Sequence, residues 1–97
     1  MKSRNVRTTH SEQLRNPEVA AEYINQALDS EDLAVILMAI RNVAEAQKDG
    51  ITGLAKRSHL GRESMYKMLS AAGNPKLSSF NLLVHGLGLH LRVEAGA

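Results

Sequence analysis

Arg62, Glu63, Ser64, Tyr66 and Lys67 place a guanidinium, a carboxylate, a hydroxyl, a phenol and an ammonium within six consecutive residues. That set suits the edges of nucleic-acid bases and the phosphates beside them better than a protein core. A guanidinium can grip a guanine edge through two hydrogen bonds, worth about 1–3 kcal/mol of discrimination. Arg62 is the candidate for that contact, with a phosphate contact or a side-chain interaction one helical turn away as the alternatives. Glu63 can accept from a cytosine amino group or orient Arg62 or Lys67. Its position four residues ahead of Lys67 favours the intrahelical pair. Ser64 and Thr52 are short hydroxyl donors suited to phosphate oxygens or to capping. Tyr66 can touch a phosphate or a thymine methyl, or it can sit partly in a core. Lys67, Lys56, Arg57 and Lys76 are read as nonspecific electrostatic contacts to phosphates, or as solvated charges.

The elements that must position these groups are legible around them. In ITGLAKRSHLGRESMYKMLS, residues 51–70, apolar side chains stand at the fourth, fifth, tenth, fifteenth and eighteenth places: Leu54, Ala55, Leu60, Met65 and Met68. Two short helices crossing steeply must bury side chains at those places, and the fifth must be small because the second helix passes over it. The pattern predicts a helix-turn-helix whose second helix presents Arg62, Glu63, Ser64, Tyr66 and Lys67 to a DNA groove. One position departs from it. The turn requires a left-handed residue, normally glycine, and the chain has His59 there. Ser58 is also more polar than is usual for a buried turn residue.

A length of 97 residues allows one domain with a modest core. Apolar residues make up 43% but aromatic residues only 3%, so the core is aliphatic and the composition favours helices over a sandwich of strands. With no cysteine, a disulfide scaffold and a thiolate zinc site are excluded. No apolar run approaches the roughly 20 residues of a membrane span, and the first residues lack the apolar stretch of a secretory signal. The expectation is a soluble cytoplasmic protein.

A net charge of +2 conceals an asymmetry. Residues 1–15 carry four basic and one acidic side chain, residues 16–50 two and seven, and residues 51–97 six and two. The basic last part contains the proposed reading head, as an approach to phosphates requires. The acidic middle part should face away from DNA, either as a solvated surface or as an attachment surface for a basic partner protein. Residues 1–15 read as a flexible basic arm and residues 16–97 as the single helical domain.

Asn16-Pro17-Glu18 is a helix start, with Asn as cap, Pro in the first position and an acid in the first turn. The helix that follows puts Val19, Ala20, Tyr23, Ile24, Ala27 and Leu28 on one stripe, and Asp29 or Ser30 ends it. A second helix, with Glu31 and Asp32 in its first turn, buries Leu33, Ile36, Leu37, Ile40, Val43 and Ala44 and stops near Gly50. The third and fourth span about residues 52–58 and 62–69. After the break at Asn74-Pro75, Ser78 caps a fifth helix carrying Phe80, Leu83, Val84 and Leu87. From Leu89 to Glu94 apolar and polar side chains alternate, which predicts a short strand. A lone strand cannot satisfy its own backbone, so this one implies pairing elsewhere in the chain or with a second copy, and hence a dimer.

His10, His59, His85 and His90 lack the spacing of a metal site, and His85 and His90 do not share a helical face. No arrangement of nucleophile, base and acid, phosphate loop or paired carboxylate stands out. The expectation is a protein that is not an enzyme and needs no cofactor.

Three further segments carry a resemblance: Gly61-Arg62-Glu63-Ser64-Met65-Tyr66; Ser70 with Gly73-Asn74-Pro75-Lys76-Leu77-Ser78; and Leu87 through Glu94. With Asn16 through Tyr23 and the helix leading to Ala44-Glu45-Ala46, they make the chain resemble the addiction-module antidote proteins, HigA-like antitoxins with an Xre-type helix-turn-helix. The likeness spans roughly residues 14–94. It implies an all-α, five-helix phage-repressor-like domain with a short C-terminal strand. It also implies an antitoxin of a type II toxin–antitoxin module that neutralises a small basic RelE/ParE-type toxin by direct binding. As a homodimer it would sit on palindromic double-stranded operator DNA and repress the shared operon. The family's recognition-helix roles fall on Arg62, Glu63, Ser64, Tyr66 and Lys67, and His59 departs from the family's usual glycine. A stand-alone prophage-type repressor would share every feature of the DNA-binding half. A protein-interaction module that kept the fold is the other alternative.

Overall fold

The structure is a computed structural model that describes residues 12–70 and 72–96. From Pro17 onward the described residues form five helices: α1 (Pro17–Asp29), α2 (Leu33–Ala46), α3 (Gly50–Ser58), α4 (Arg62–Met68) and α5 (Leu77–Gly86). α1 packs against α2, α2 against α3, and α3 against both α4 and α5, so α3 is the hub that connects the rest.

Local chemistry explains most of the helix boundaries. The Asn16 side chain accepts from the Glu18 amide at 2.9 Å, and Pro17 occupies the first helical position, as the sequence predicts. The next helix starts at Leu33, at least two residues later than expected. Asp32 is its cap, accepting from the Ala34 amide at 3.0 Å, and Glu31 lies in the preceding turn at φ 57 rather than inside the helix. α5 likewise starts at Leu77 with Lys76 as its boundary residue, so Ser78 lies within the first turn and is not its cap.

Two helix ends share one hydrogen-bond pattern. After α5 the Leu89 amide donates to Val84 and the Gly88 amide to His85, with Gly88 at φ 80. After α3 the Leu60 amide donates to Ala55 and the His59 amide to Lys56, with His59 at φ 58. Both are closed by a residue in the left-handed region, one a glycine and the other a histidine. A Cβ in that region costs roughly 1–2 kcal/mol, part of which glycine returns through the greater freedom of its unfolded chain. His59→Gly should therefore raise stability by about 0.5–1 kcal/mol, read as a higher urea midpoint at unchanged slope. A lower midpoint would show that the imidazole contributes more than the strain removes.

The core is aliphatic, as the composition requires. Leu37, Ile40, Val43 and Ala44 of α2, Leu54 of α3, Met65 of α4 and Leu83 of α5 are all buried. Val19 and Leu33, expected on buried stripes, are instead 38% and 41% exposed. Each lies within the first turns of its helix, where no neighbouring helix covers it. Where α5 crosses α3 the approach is close. A Cβ built on Gly86 would lie 2.5 Å from the Ser58 hydroxyl oxygen and 2.6 Å from Leu54 Cδ1. Gly86→Ala should therefore cost about 1–3 kcal/mol by overpacking, despite alanine's better helix propensity. A thermal melt at or above the wild-type midpoint would contradict that.

Of the expected basic arm, residues 1–11 lie outside the described residues. Its remainder is attached to the body. Leu14 is 1% exposed, the Arg15 Nε donates to the Ala46 carbonyl at 2.7 Å, and Gln47 Nε2 donates to the Leu14 carbonyl at 3.2 Å. The strand expected over Leu89–Glu94 does not form. The described residues contain no strand, and this segment runs without regular structure. An extended segment becomes a strand only by pairing, and among the described residues it pairs with no other segment. Instead Leu89 packs against the core, and the tail lines a groove together with Ala21, Asn25 and Asp29 of α1.

Candidate nucleic-acid interface

α4 is seven residues long, too short to be stable by itself, and it is held by what its inner face buries. Met65 is fully buried, Leu69 just beyond the helix is 3% exposed, and Leu54 and Ala55 of α3 lie beneath. Ala55 is small and buried, as the crossing requires. Leu60 and Met68, expected in the same seam, are only partly buried, and Leu69 takes the innermost place beyond Met65. Ser58 is 1% exposed, and its hydroxyl donates to the Leu82 carbonyl at 3.3 Å, which satisfies the one polar side chain buried under the turn.

On the outer face Arg62, Glu63, Ser64, Tyr66 and Lys67 are all exposed, and Thr52 is exposed on α3. The five residues of α4 therefore share one short element standing off the body. The Arg62 guanidinium carbon lies 5.8 Å from the centre of the Tyr66 ring, within reach of a cation–π contact. Stacking in this way limits the rotamers Arg62 can adopt. The expected Glu63–Lys67 pair does not form, and neither side chain makes an ion pair among the described residues. Both charges are left to solvent or to a ligand.

A family model described as a "Probable addiction module antidote protein" matches residues 5–95. The chain belongs to that family. Membership places it in the antidote class and implies a toxin as partner. An uncharacterized protein of Haemophilus influenzae is 29% identical over 84 residues, covering 87% of this chain and 84% of its own length. No solved structure matches. Among the described residues, no helix is long and apolar enough to cross a membrane.

In this antidote-family chain the basic residues around α4 divide into two groups. Lys56, Lys67 and Lys76 are exposed with no ion pair among the described residues. Arg57, grouped with them in the sequence, has a structural task. Its guanidinium pairs with the Asp49 carboxylate, and its Nε donates to the Gly86 carbonyl at 2.8 Å. It thus ties the start of α3 to the end of α5. Such a tie cannot be read from spacing, because its partners lie 8 and 29 residues away. The turn at Gly88 also brings the exposed rings of His85 and His90 edge to face, with centroids 5.7 Å apart, although helical spacing separates them.

Proposed function

We propose that the chain is the antitoxin of a type II toxin–antitoxin module, with an Xre-type, HigA-like helix-turn-helix formed by α3 and α4. α4 enters the major groove of operator DNA, with Arg62 on a guanine edge and Glu63 free to accept from a cytosine amino group. Ser64, Tyr66, Lys67 and Thr52 hold the neighbouring phosphates and sugar edges, and Lys56 and Lys76 add nonspecific attraction. The observation that carries this reading is the make-up of α4. It has one buried anchor, Met65, and an outer face made wholly of exposed polar, charged and phenolic side chains. His59 in the left-handed region supports it, because that is the backbone the turn between two such helices requires.

The protein acts as a cytoplasmic homodimer. In the C-terminal tail Val93 is 99% exposed and Leu91 38%, apolar side chains that a second copy would cover. Two copies related by a twofold axis would set their α4 helices about one DNA turn apart on a palindrome. Binding of a RelE/ParE-type toxin neutralises it by occlusion, and operator binding represses the shared operon. Neither step involves chemistry on a substrate.

The test is a gel-shift titration with the DNA just upstream of the gene, at two salt concentrations, against scrambled competitor. Binding that resists competitor and weakens with salt is expected. Binding no better than to scrambled DNA would remove the proposed groove contacts.

A further inference from the structure

The α1–α2 pair carries an apolar surface that none of the described residues covers. Val35 and Met38 of α2 are 44% and 53% exposed, and three-residue spacing puts them on one face. With Tyr23 and Gln26 of α1 they line a groove of about 460 Å³. Val19, one turn before Tyr23 and 38% exposed, extends the apolar strip along α1. Its floor is small, at Ala27 and Ala39, so a side chain from outside can enter. Met38 is unbranched and flexible and can adapt to what enters.

The groove's own lining is uncharged, and an acidic rim stands outside it on α1. Glu18, Glu22 and Asp29 fall on one stripe of α1 and form no ion pair among the described residues, and Glu31 follows in the turn. Residues 16–50 carry seven acidic and two basic side chains. One of those bases, Arg41, is already paired with Glu45 at 3.3 Å. Nucleic acid is repelled by such a rim. A second copy seated face to face would bring a second set of the same carboxylates to the contact and few free cations to meet them. The chemistry that fits is an apolar ridge flanked by Lys and Arg.

We propose that the α1–α2 groove is the surface that docks the toxin, and that its occupant is a basic amphipathic helix of that partner. This rests on the antitoxin reading given above. The lining runs from Tyr23 to Ala27 on α1 and from Ala34 to Ala39 on α2, and with Val19 the apolar strip is roughly 12 Å long at 1.5 Å per residue, enough to take about two turns of a partner helix. Apolar side chains at three- and four-residue steps enter over Ala27 and Ala39, and flanking cations meet Glu22 beside the groove and, further out, Asp29 at the edge of the tail groove. The antidote thereby uses different helices for its two partners.

The probe is the purified protein encoded beside this chain's gene, titrated calorimetrically into the full chain, with operator gel shifts run on the same preparations. Met38→Glu should weaken toxin binding by about 30-fold or more, the loss typical of a central anchor. Glu22→Lys with Asp29→Lys should weaken it by about tenfold, with a larger loss at low salt. Both variants should melt like the wild type and shift operator DNA equally well, since all three side chains are exposed. If Met38→Glu fails to fold, the charge-reversal pair decides. Wild-type toxin binding left intact by the substitutions overturns the groove while the antitoxin reading stands. No toxin binding by the wild type overturns both. A wild-type dimer that Met38→Glu turns into monomer in light scattering makes the groove a self-contact and also overturns the proposal.

Discussion

Replacing Arg62 and Lys67 together by alanine should weaken operator binding by roughly 30- to 1000-fold while leaving the melting temperature nearly unchanged. A guanidinium on a guanine edge is worth about 1–3 kcal/mol, and a phosphate-bound lysine adds a smaller share, with each 1.4 kcal/mol being a factor of ten. Neither side chain is buried, and neither makes an ion pair or hydrogen bond among the described residues, so the fold loses little. The single variants separate the two roles. Lys67→Ala should weaken specific and scrambled DNA alike and lower the salt slope by about 1, whereas Arg62→Ala should chiefly relax specificity. Arg62→Lys should behave almost like Arg62→Ala, because a point charge cannot make the two parallel bonds. Fluorescence anisotropy at two salt concentrations reads all four. A double variant that binds operator as the wild type does would take α4 out of the groove.

Leu54→Ala should destabilise the protein by about 2–5 kcal/mol, the largest stability loss expected from any single truncation near the interface. Leu54 is fully buried in the hub helix and lies against the crossing with Gly86. Removing it leaves a cavity where α3, α4 and α5 meet, and a rigid aliphatic neighbourhood can fill it only in part. Domains of this size have roughly 5–15 kcal/mol in total, so a large part of the stability is at stake. The midpoint of thermal unfolding should fall by about 10–30 °C. Operator affinity of the folded fraction should fall as well, because α4 is too short to hold its shape without the floor beneath it. A melt within a few degrees of the wild type would mean that the neighbours collapse into the space.

The helix pair at the candidate interface was legible because its determinants are close in sequence. Leu54, Ala55 and Met65 are buried at the places the spacing demands, and the charged residues between them face outward. Even the departure was informative, since His59 adopts the left-handed conformation that the turn requires of whatever residue stands there. The Glu63–Lys67 pair was a reasonable expectation from spacing that did not form, because an exposed pair gains too little to fix two long side chains. The groove on α1 and α2 was missed although a signal existed. α2 begins Leu33-Ala34-Val35-Ile36-Leu37-Met38, apolar on every face, and such a helix is either buried all round or covered by a partner. Assigning it one buried stripe hid Val35 and Met38.

The sequence alone determined the helical class, the capped start at Asn16-Pro17, the aliphatic core and the polar outer face of α4. Each follows from composition or from groups within one or two turns of one another. Only the tertiary structure decided where the helices leave surface uncovered and which long-range partners the charges find. It took Arg57 to Asp49 and the Gly86 carbonyl, and it seated Leu14 in the core. It left Leu89–Glu94 unpaired, since alternation shows that a segment can be a strand but pairing needs a neighbour. Periodicity reports the faces a helix has. Packing among five helices decides which of those faces are covered, and that depends on contacts between residues far apart in the chain.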